Sequence, residues 1–186
     1  MYLDDVKETL LTDFVTDVGK IITESDICFI NLGGIRSTWY RGNINEIDLF
    51  RMFPFNNTWV RFEMTGEEVY HMFQNLAGGT SIYPISGTLQ TFNLKNSIYS
   101  MKNLLLWDGE EEKPLELKKT YKICTTNFLA GGGSRMQKVR KWYKDLRNKK
   151  DFGIIRELLF KYMKNMKPIT KEKFVDEKYP RITIDN

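Results

Sequence analysis

The fold is decided by a strand and a helix start that follow one another at residues 58–68, TWVRFEMTGEE. The first six residues alternate, with Val60 and Phe62 on one side, and this pattern predicts a strand with one covered face. Thr65 and Glu68 then form a capping-box pattern, in which each side chain satisfies a backbone amide at the start of a helix. A strand that leads directly into a helix indicates a layered protein containing both kinds of element.

Helices and strands interleave along the rest of the chain, and no repeat or proline-rich linker divides it. One domain spanning residues 1–186 is therefore expected. The connections are too short for every strand pair to be a parallel crossover, which favours a mixed sheet. We predict an α+β fold, a single layered domain in which a mixed β-sheet packs with helices. Helices are expected at about 3–21, 45–50, 65–76, 134–145 and 151–166, and strands at 27–30, 58–63, 88–95, 103–107, 120–126 and 181–184.

The composition is that of a soluble globular protein. The 186 residues are 41% hydrophobic and 28% charged, which excludes disordered, fibrous and integral membrane proteins. No run approaches the roughly 18 apolar residues that span a bilayer, so no membrane span is expected. The first residues lack a basic region followed by an apolar one, and no signal peptide is expected in this chain.

The formal net charge of +4 is small, but basic residues are concentrated in one stretch. Residues 135–150 contain eight lysines and arginines against one acid, Asp145. A solvated helix face and loop is favoured over a phosphate-attracting surface, so nucleic acid is not an expected partner. Cys28 and Cys124 lie in apolar strand-like runs and are expected to be buried free thiols.

Several kinds of catalytic site are missing from the sequence. His71 is the only histidine, and no group of His, Asp and Glu has the spacing of metal ligands. The G-x-S-x-G, P-loop and G-x-G-x-x-G motifs are absent as well. These absences exclude a self-contained metallohydrolase and the common serine hydrolase, NTPase and dinucleotide-binding sites. Any chemistry is expected to be completed outside this chain.

Two glycine-rich turns follow predicted strands. They are residues 31–36, NLGGIR, and residues 127–134, NFLAGGGS, and the segment 53–57, FPFNN, lies between them. Each segment alone is more typical of a structural turn. Together they offer two aromatic rings, Phe55 and Phe128, with amide groups and Arg36, a combination that suits a nucleobase carrying a phosphate.

In order and spacing, the blocks at 31–36, 43–55, 65–68 and 127–133 resemble the C-terminal domain of the 5'-nucleotidase family. That family includes UDP-sugar hydrolases, 2',3'-cyclic nucleotide phosphodiesterases and the animal ecto-5'-nucleotidases, and the similarity covers nearly the whole chain. The resemblance implies the fold of that domain and a substrate-recognition role in the hydrolysis of nucleoside monophosphates. It also implies that two divalent metal ions and the catalytic His/Asp pair belong to a separate N-terminal metallophosphatase domain, which this chain lacks. No cofactor is therefore expected in this chain.

The resemblance also implies roles for individual residues. Phe55 and Phe128 would sandwich the base with their rings roughly 6–8 Å apart. Asn31 and Asn57 match positions that bind ribose or base, and Arg36 matches an arginine that faces the ribose and phosphate. The full set expected to bind substrate is Asn31, Gly33, Arg36, Phe55, Asn57, Phe128, Gly132, Gly133 and Ser134.

The sequence departs from the family pattern at two places. The family usually has Asn-Gly-Gly-Asp-Gly where residues 131–135 are GGGSR, so Ser134 replaces an aspartate that binds the ribose hydroxyls. Arg135 replaces a glycine and would either pair with phosphate or block the entrance. The family also has phosphate-side arginines upstream of the first glycine motif, and no arginine precedes Arg36.

Two functions stay open from the sequence. One is a nucleotide-binding domain whose partners are a nucleotide or nucleoside and a metallophosphatase domain, in the same chain or another. The alternative is a non-catalytic structural or protein-interaction module with a degenerate pocket. The family resemblance implies a location outside the cytoplasm.

Overall fold

Two β-sheets, with helices between and beside them, make up the structure. It is a computed structural model that describes residues 9–39, 42–79, 81–140, 145–166, 168–174 and 180–185. The helices are α1 (Leu10–Thr23), α2 (Glu46–Met52), α3 (Gly66–Ala77), α4 (Asn127–Ala130), α5 (Met136–Arg140), α6 (Ile155–Met163) and α7 (Lys171–Phe174), with a 3-10 helix at Leu32–Gly34. The strands are β1 (Ile27–Phe29), β2 (Thr58–Thr65), β3 (Ile85–Ser86), β4 (Thr88–Lys95), β5 (Ile98–Trp107), β6 (Glu112–Pro114), β7 (Thr120–Thr126), β8 (Arg147–Ile154) and β9 (Ile182–Asp185).

Both sheets are mixed, which confirms the α+β class. The central sheet has the strand order β3-β1-β7-β2-β8, and β1 runs parallel to β7 while the other neighbours are antiparallel. The second sheet has the order β6-β5-β4-β9, with β9 parallel to β4. The strands thus divide between two sheets, where the sequence led us to expect one. Helix α3 lies between them and contacts β2, β7 and β5.

Both faces of the central sheet are covered. Because successive strand residues point to opposite faces, Ile27 and Phe29 join the core on the α3 side, whereas Cys28 joins the core on the α1 side. The expectation that only one face of β2 is covered was wrong. Trp59 is fully buried on the α1 side, where a methyl group added at Gly19 would lie 2.8 Å from its ring.

The two cysteines are buried free thiols, as the sequence predicted. Cys28 lies directly opposite Cys124 in the parallel pair of β1 and β7. Burial, and then the hydrogen bond with the Cys124 thiol, raises the pKa of the Cys28 thiol well above its usual value. The Cys28 thiol is therefore a protonated part of the core at neutral pH.

The start of α3 has the capping box that the sequence predicted. The Glu68 amide donates to Thr65 Oγ1 at 3.3 Å, and the Thr65 amide donates to Glu68 Oε2 at 2.7 Å. Arg147 of β8 adds an ion pair to the same carboxylate. Helix α1 is also present, although the part of the predicted helix before residue 9 lies outside the described residues.

The expected helix over 151–166 was partly wrong. Residues 147–154 form β8, an edge strand, and α6 begins only at Ile155. Because the first half of β8 is exposed, it carries charged residues without an apolar alternation, and so the usual strand pattern is missing. The expected helix over 134–145 is seen as the short α5, and residues 141–144 lie outside the described part. Within the described ranges, no helix has the length and apolar character needed to cross a membrane.

Candidate functional site

Four chain segments meet at one edge of the central sheet because of the strand directions. β1 and β7 are parallel, so the turns that follow them, at 31–36 and 127–134, leave the sheet at the same edge. β2 runs antiparallel to β7, which places the preceding residues 55–57 at that edge as well. β8 ends there too, since Thr58 is paired with Ile154. We call this region the site edge.

The Asn127 side chain connects two of these segments. Its Oδ1 accepts hydrogen bonds from the Thr58 amide at 3.1 Å and from the Phe128 amide at 2.9 Å. Phe55 and Phe128, here called the aromatic pair, are therefore on neighbouring turns. The two residues are 49% and 46% exposed.

Two glycines shape the turn below Phe128. A methyl group added at Gly133 would lie 2.5 Å from the Phe128 ring, so only glycine allows the ring to rest against the backbone here. Gly132 has a φ of +97°, a conformation that side chains strongly disfavour. The glycines thus hold one ring of the aromatic pair in place, and this accounts for their presence in structural terms.

Asn31, Phe55 and Asn57 line a cavity at the site edge. Its empty volume is about 330 Å³, including the part that is open to solvent. The Asn31 side chain packs against Gly33 and Gly34, and its Oδ1 is buried without a hydrogen-bond partner among the described residues. A buried acceptor without a hydrogen-bond partner costs free energy. A water molecule, or a ligand with a donor group, would remove this cost by bonding to it.

Arg36 lies beside this cavity on an exposed loop. Its backbone amide donates to the carbonyl of Met52, the last residue of α2, at 2.8 Å. Its guanidinium makes a single long contact of 3.4 Å with the Gly33 carbonyl. The charged head is therefore largely solvated and available to an anion.

Arg156 is a residue of the site edge that sequence reasoning missed. It is only 9% exposed, and it donates to the Phe55 carbonyl at 3.0 Å and to Asn56 Oδ1 at 2.6 Å. Its guanidinium also stacks on the Phe50 ring, 4.4 Å from the centroid. No local pattern reveals this role, because Arg156 follows Phe55 by 101 residues and the two meet only through the pairing of β2 with β8.

Ser134 and Arg135 are engaged on the side of the turn that faces β3. Ser134 has a left-handed backbone with φ of +55°, and its Oγ lies 2.9 Å from the hydroxyl of buried Tyr83. The Arg135 guanidinium lies 5.0 Å from the centre of the Tyr83 ring and donates to the Ser81 carbonyl. The Arg135 guanidinium is therefore engaged by Ser81 and Tyr83 in this structure. Sequence reasoning also missed Tyr83, which no motif marks.

Metal ligands are not assembled in the described parts of the chain. No three His, Cys, Asp or Glu side chains come together within those ranges. His71 is on the exposed face of α3. The residues at hand therefore do not fit a two-metal centre, and we derive no hydrolytic step on this chain.

A profile of the family described as "5'-nucleotidase, C-terminal domain" matches residues 2–141. The chain belongs to this family. Curated relatives of this 5'-nucleotidase C-terminal domain include an apyrase of Tabanus yao, 29% identical over 175 residues, and the protein UshA of Escherichia coli, 31% identical over 126 residues. A cell wall protein of Listeria monocytogenes is a further relative.

The fold is shared with solved structures. A 5'-nucleotidase precursor from Thermus thermophilus superposes with a TM-score of 0.77 at 24% identity, covering 96% of this chain and 36% of that one. The alignments cover 85% of this chain but 30% of the apyrase, and 63% of this chain but 22% of UshA. The chain thus spans about a third or less of these relatives. In two-domain 5'-nucleotidases, this domain accompanies an N-terminal metallophosphatase domain, and the family's metal dependence belongs to that domain.

Proposed function

We propose that this chain is the nucleotide-recognition domain of a 5'-nucleotidase-type phosphoester hydrolase. The aromatic pair holds the base, Asn31 and Asn57 bind polar atoms of the base or ribose, and Arg36 faces the phosphate. A metallophosphatase domain, in the same polypeptide or another, carries out hydrolysis. The domain contributes by fixing the substrate, which removes the entropic cost of orienting the phosphate during the reaction.

One observation carries this proposal. Phe55 and Phe128 remain half exposed on two turns that the Asn127 side chain ties together. Stacking between aromatic rings accommodates any base, because every base has a π-face. The unpaired Oδ1 of Asn31 in the adjoining cavity adds an acceptor at the position where a polar edge of the ligand is expected.

A second candidate function is a non-catalytic module with a degenerate pocket. The observation that favours it is the state of Ser134, whose hydroxyl is already bonded to Tyr83. Arg135 is likewise occupied with Ser81 and Tyr83 and does not contribute a charge to the cavity. Sugar recognition at this turn is then weak, and the module would act through its surface.

We further propose that the protein works outside the cytoplasm. The support is the relationship to a protein described as a cell wall protein, together with the family resemblance. Nucleic acid is not proposed as a partner. The exposed basic residues of β8 are explained by the edge position of that strand, where lysine discourages pairing with other chains.

Calorimetric titration with AMP and ribose 5-phosphate tests the recognition role. We expect AMP to bind, and Phe55→Ala or Phe128→Ala to weaken its binding by about 1–3 kcal/mol, the contribution of one stacked face. Binding of ribose 5-phosphate, which has no base, should stay unchanged in both variants. Leu117→Ala, another exposed apolar side chain, serves as the control. A wild-type chain that does not bind AMP would refute the recognition role and favour the non-catalytic module.

A further inference from the structure

Two large apolar side chains are exposed on α2. Ile47 and Phe50 are 62% and 55% exposed, and at a spacing of three residues they are neighbours on the helix surface. Leu49 and Met52 cover the opposite face with buried side chains. Glu46 and Arg51 are exposed on the same helix, so charged side chains flank the two exposed apolar ones. Adjacent exposed apolar side chains of this size, unlike scattered single ones, mark an interaction surface.

This face borders the site edge directly. The Arg36 amide donates to the Met52 carbonyl at the end of α2. Arg156 stacks on the Phe50 ring and donates to the Phe55 carbonyl, so one guanidinium joins the helix to the aromatic pair. Phe50 of α2 is thus joined through Arg156 to the turn that carries Phe55.

The remaining part of a two-domain enzyme is large enough to cover this face. The chain spans 30% of the apyrase and 36% of the Thermus protein, and the family pairs it with a metallophosphatase domain. On the proposed function, the phosphate points towards Arg36. The reacting atoms must approach within about 3–3.5 Å, so the domain that bears them has to contact the surface beside Arg36.

We infer that the exposed face of α2, centred on Ile47 and Phe50, is the surface that docks against the metallophosphatase domain when substrate is delivered. This inference rests on the proposed function. The contact buries two apolar side chains at the border of the site and leaves Arg36 free for the phosphate. A charge placed in such a contact is buried without a partner, which opposes docking.

The test uses a chimera of Escherichia coli UshA in which this chain replaces the matching region. We expect Ile47→Glu to lower kcat for AMP at least tenfold in the chimera, while the Kd for AMP of the isolated chain stays within twofold of wild type. Glutamate near the start of a helix is compatible with folding. The control is Ile98→Glu, which alters an equally exposed side chain of the β4–β5 hairpin and should change neither quantity.

The other outcomes of this experiment either overturn or support the docking surface. An unchanged kcat for Ile47→Glu, an equal loss in the Ile98→Glu control, or a chimera that binds AMP but is inactive would overturn the docking surface. A photo-crosslinker at position 50 identifies the occupant. Crosslinks to the UshA part support the inference, whereas crosslinks between two copies of this chain overturn it. If the isolated wild-type chain does not bind AMP, the proposed function itself has failed.

Discussion

At the scale of single residues, Arg156 is a buried charge that fixes the backbone beside an exposed aromatic ring. Its two nitrogens hold the Phe55 carbonyl and the Asn56 side chain, and this fixes the backbone from which the Phe55 ring projects. Lysine cannot reproduce the planar fork of the guanidinium that makes both bonds at once. Arg156 is thus a positioning residue for the aromatic pair.

We expect Arg156→Lys and Arg156→Met to weaken AMP binding roughly tenfold, about 1.4 kcal/mol, because the Phe55 turn loses its fixed orientation. Binding of ribose 5-phosphate should not change, since it does not use the rings. Calorimetry with both ligands separates this role from general destabilisation, which would weaken both. Arg147→Lys, which alters a half-exposed ion pair, is the matched control. If Arg156→Lys bound AMP as tightly as wild type, the positioning role would be contradicted.

On the proposed function, Ser134 limits how much the ribose contributes to binding. A serine hydroxyl already bonded to Tyr83 offers at most a weak neutral bond, whereas charge-assisted bonds are worth about 1.5–3 kcal/mol each. We expect AMP and deoxy-AMP to bind the wild-type chain within about a threefold difference, or ~0.7 kcal/mol. Ser134→Asp should favour AMP over deoxy-AMP, because its carboxylate can accept charge-assisted bonds from the ribose hydroxyls. Aspartate also tolerates the left-handed backbone at this position. Titration of both nucleotides against both proteins measures this, and strong ribose discrimination by wild type would show that another residue binds the hydroxyls.

At the scale of the element, helix α3 is stabilised at its start by Glu68, whose charge depends on pH. Burial raises the pKa of this carboxyl, but the hydrogen bonds from Arg147 and the Thr65 amide outweigh it and leave the pKa below its ordinary value of 4.5. Since the folded-state pKa is the lower one, the stabilisation is complete above the unfolded pKa. It is lost as pH falls through the folded pKa.

We expect Glu68→Gln to lower the free energy of unfolding by about 0.5–1 kcal/mol at pH 7, the usual value of a partly exposed ion pair. Glutamine keeps the capping bond, so the change isolates the charge. The difference from wild type should shrink as pH falls below 4.5, as measured by urea denaturation across this range. Glu67→Gln, in the same helical turn, controls for the helix dipole. A pH-independent difference would show that the charge is not responsible.

At the scale of the whole molecule, Arg181 connects the C-terminal segment at 180–185 with helix α1. It donates to Asp17 of α1 at 2.8 Å, to the Ile85 carbonyl of β3 at 3.2 Å and to the Phe174 carbonyl of α7 at 3.0 Å. Asp13, also in α1, is nearly fully buried and lies 3.8 Å from the same guanidinium. One side chain thus compensates buried carboxylates and joins three distant segments.

We expect Arg181→Met to cost about 3–5 kcal/mol of unfolding free energy, because it removes the guanidinium from the buried Asp13 and the partly buried Asp17. Chemical denaturation of the purified chain measures this. Lys102→Met removes an exposed ion pair with Asp185, at the other end of the same C-terminal segment, and should cost no more than about 1 kcal/mol. Equal costs for the two variants would contradict a special role for the buried network.

The family, the fold class and most elements follow from the sequence because their signals are local. The Thr65–Glu68 capping box and the apolar run before the first glycine turn each act over a few residues, and each block of the family pattern is itself a short run. The strand β8 could not be predicted. Its exposed first half has no apolar alternation, and only its pairing with β2 makes it a strand.

The sequence by itself determined which residues are available at the site edge, because Phe55, Phe128, Asn31 and the glycines lie in recognisable turns. Only the tertiary structure decided what these residues can do. Arg156 donates a hydrogen bond to the Phe55 carbonyl, although the two residues are 101 positions apart in the sequence. Tyr83 is hydrogen-bonded to Ser134, which lies 51 positions away. Such contacts depend on strand pairing and helix packing over the whole domain. They leave no trace in local spacing, because each partner alone is an ordinary arginine, tyrosine or serine.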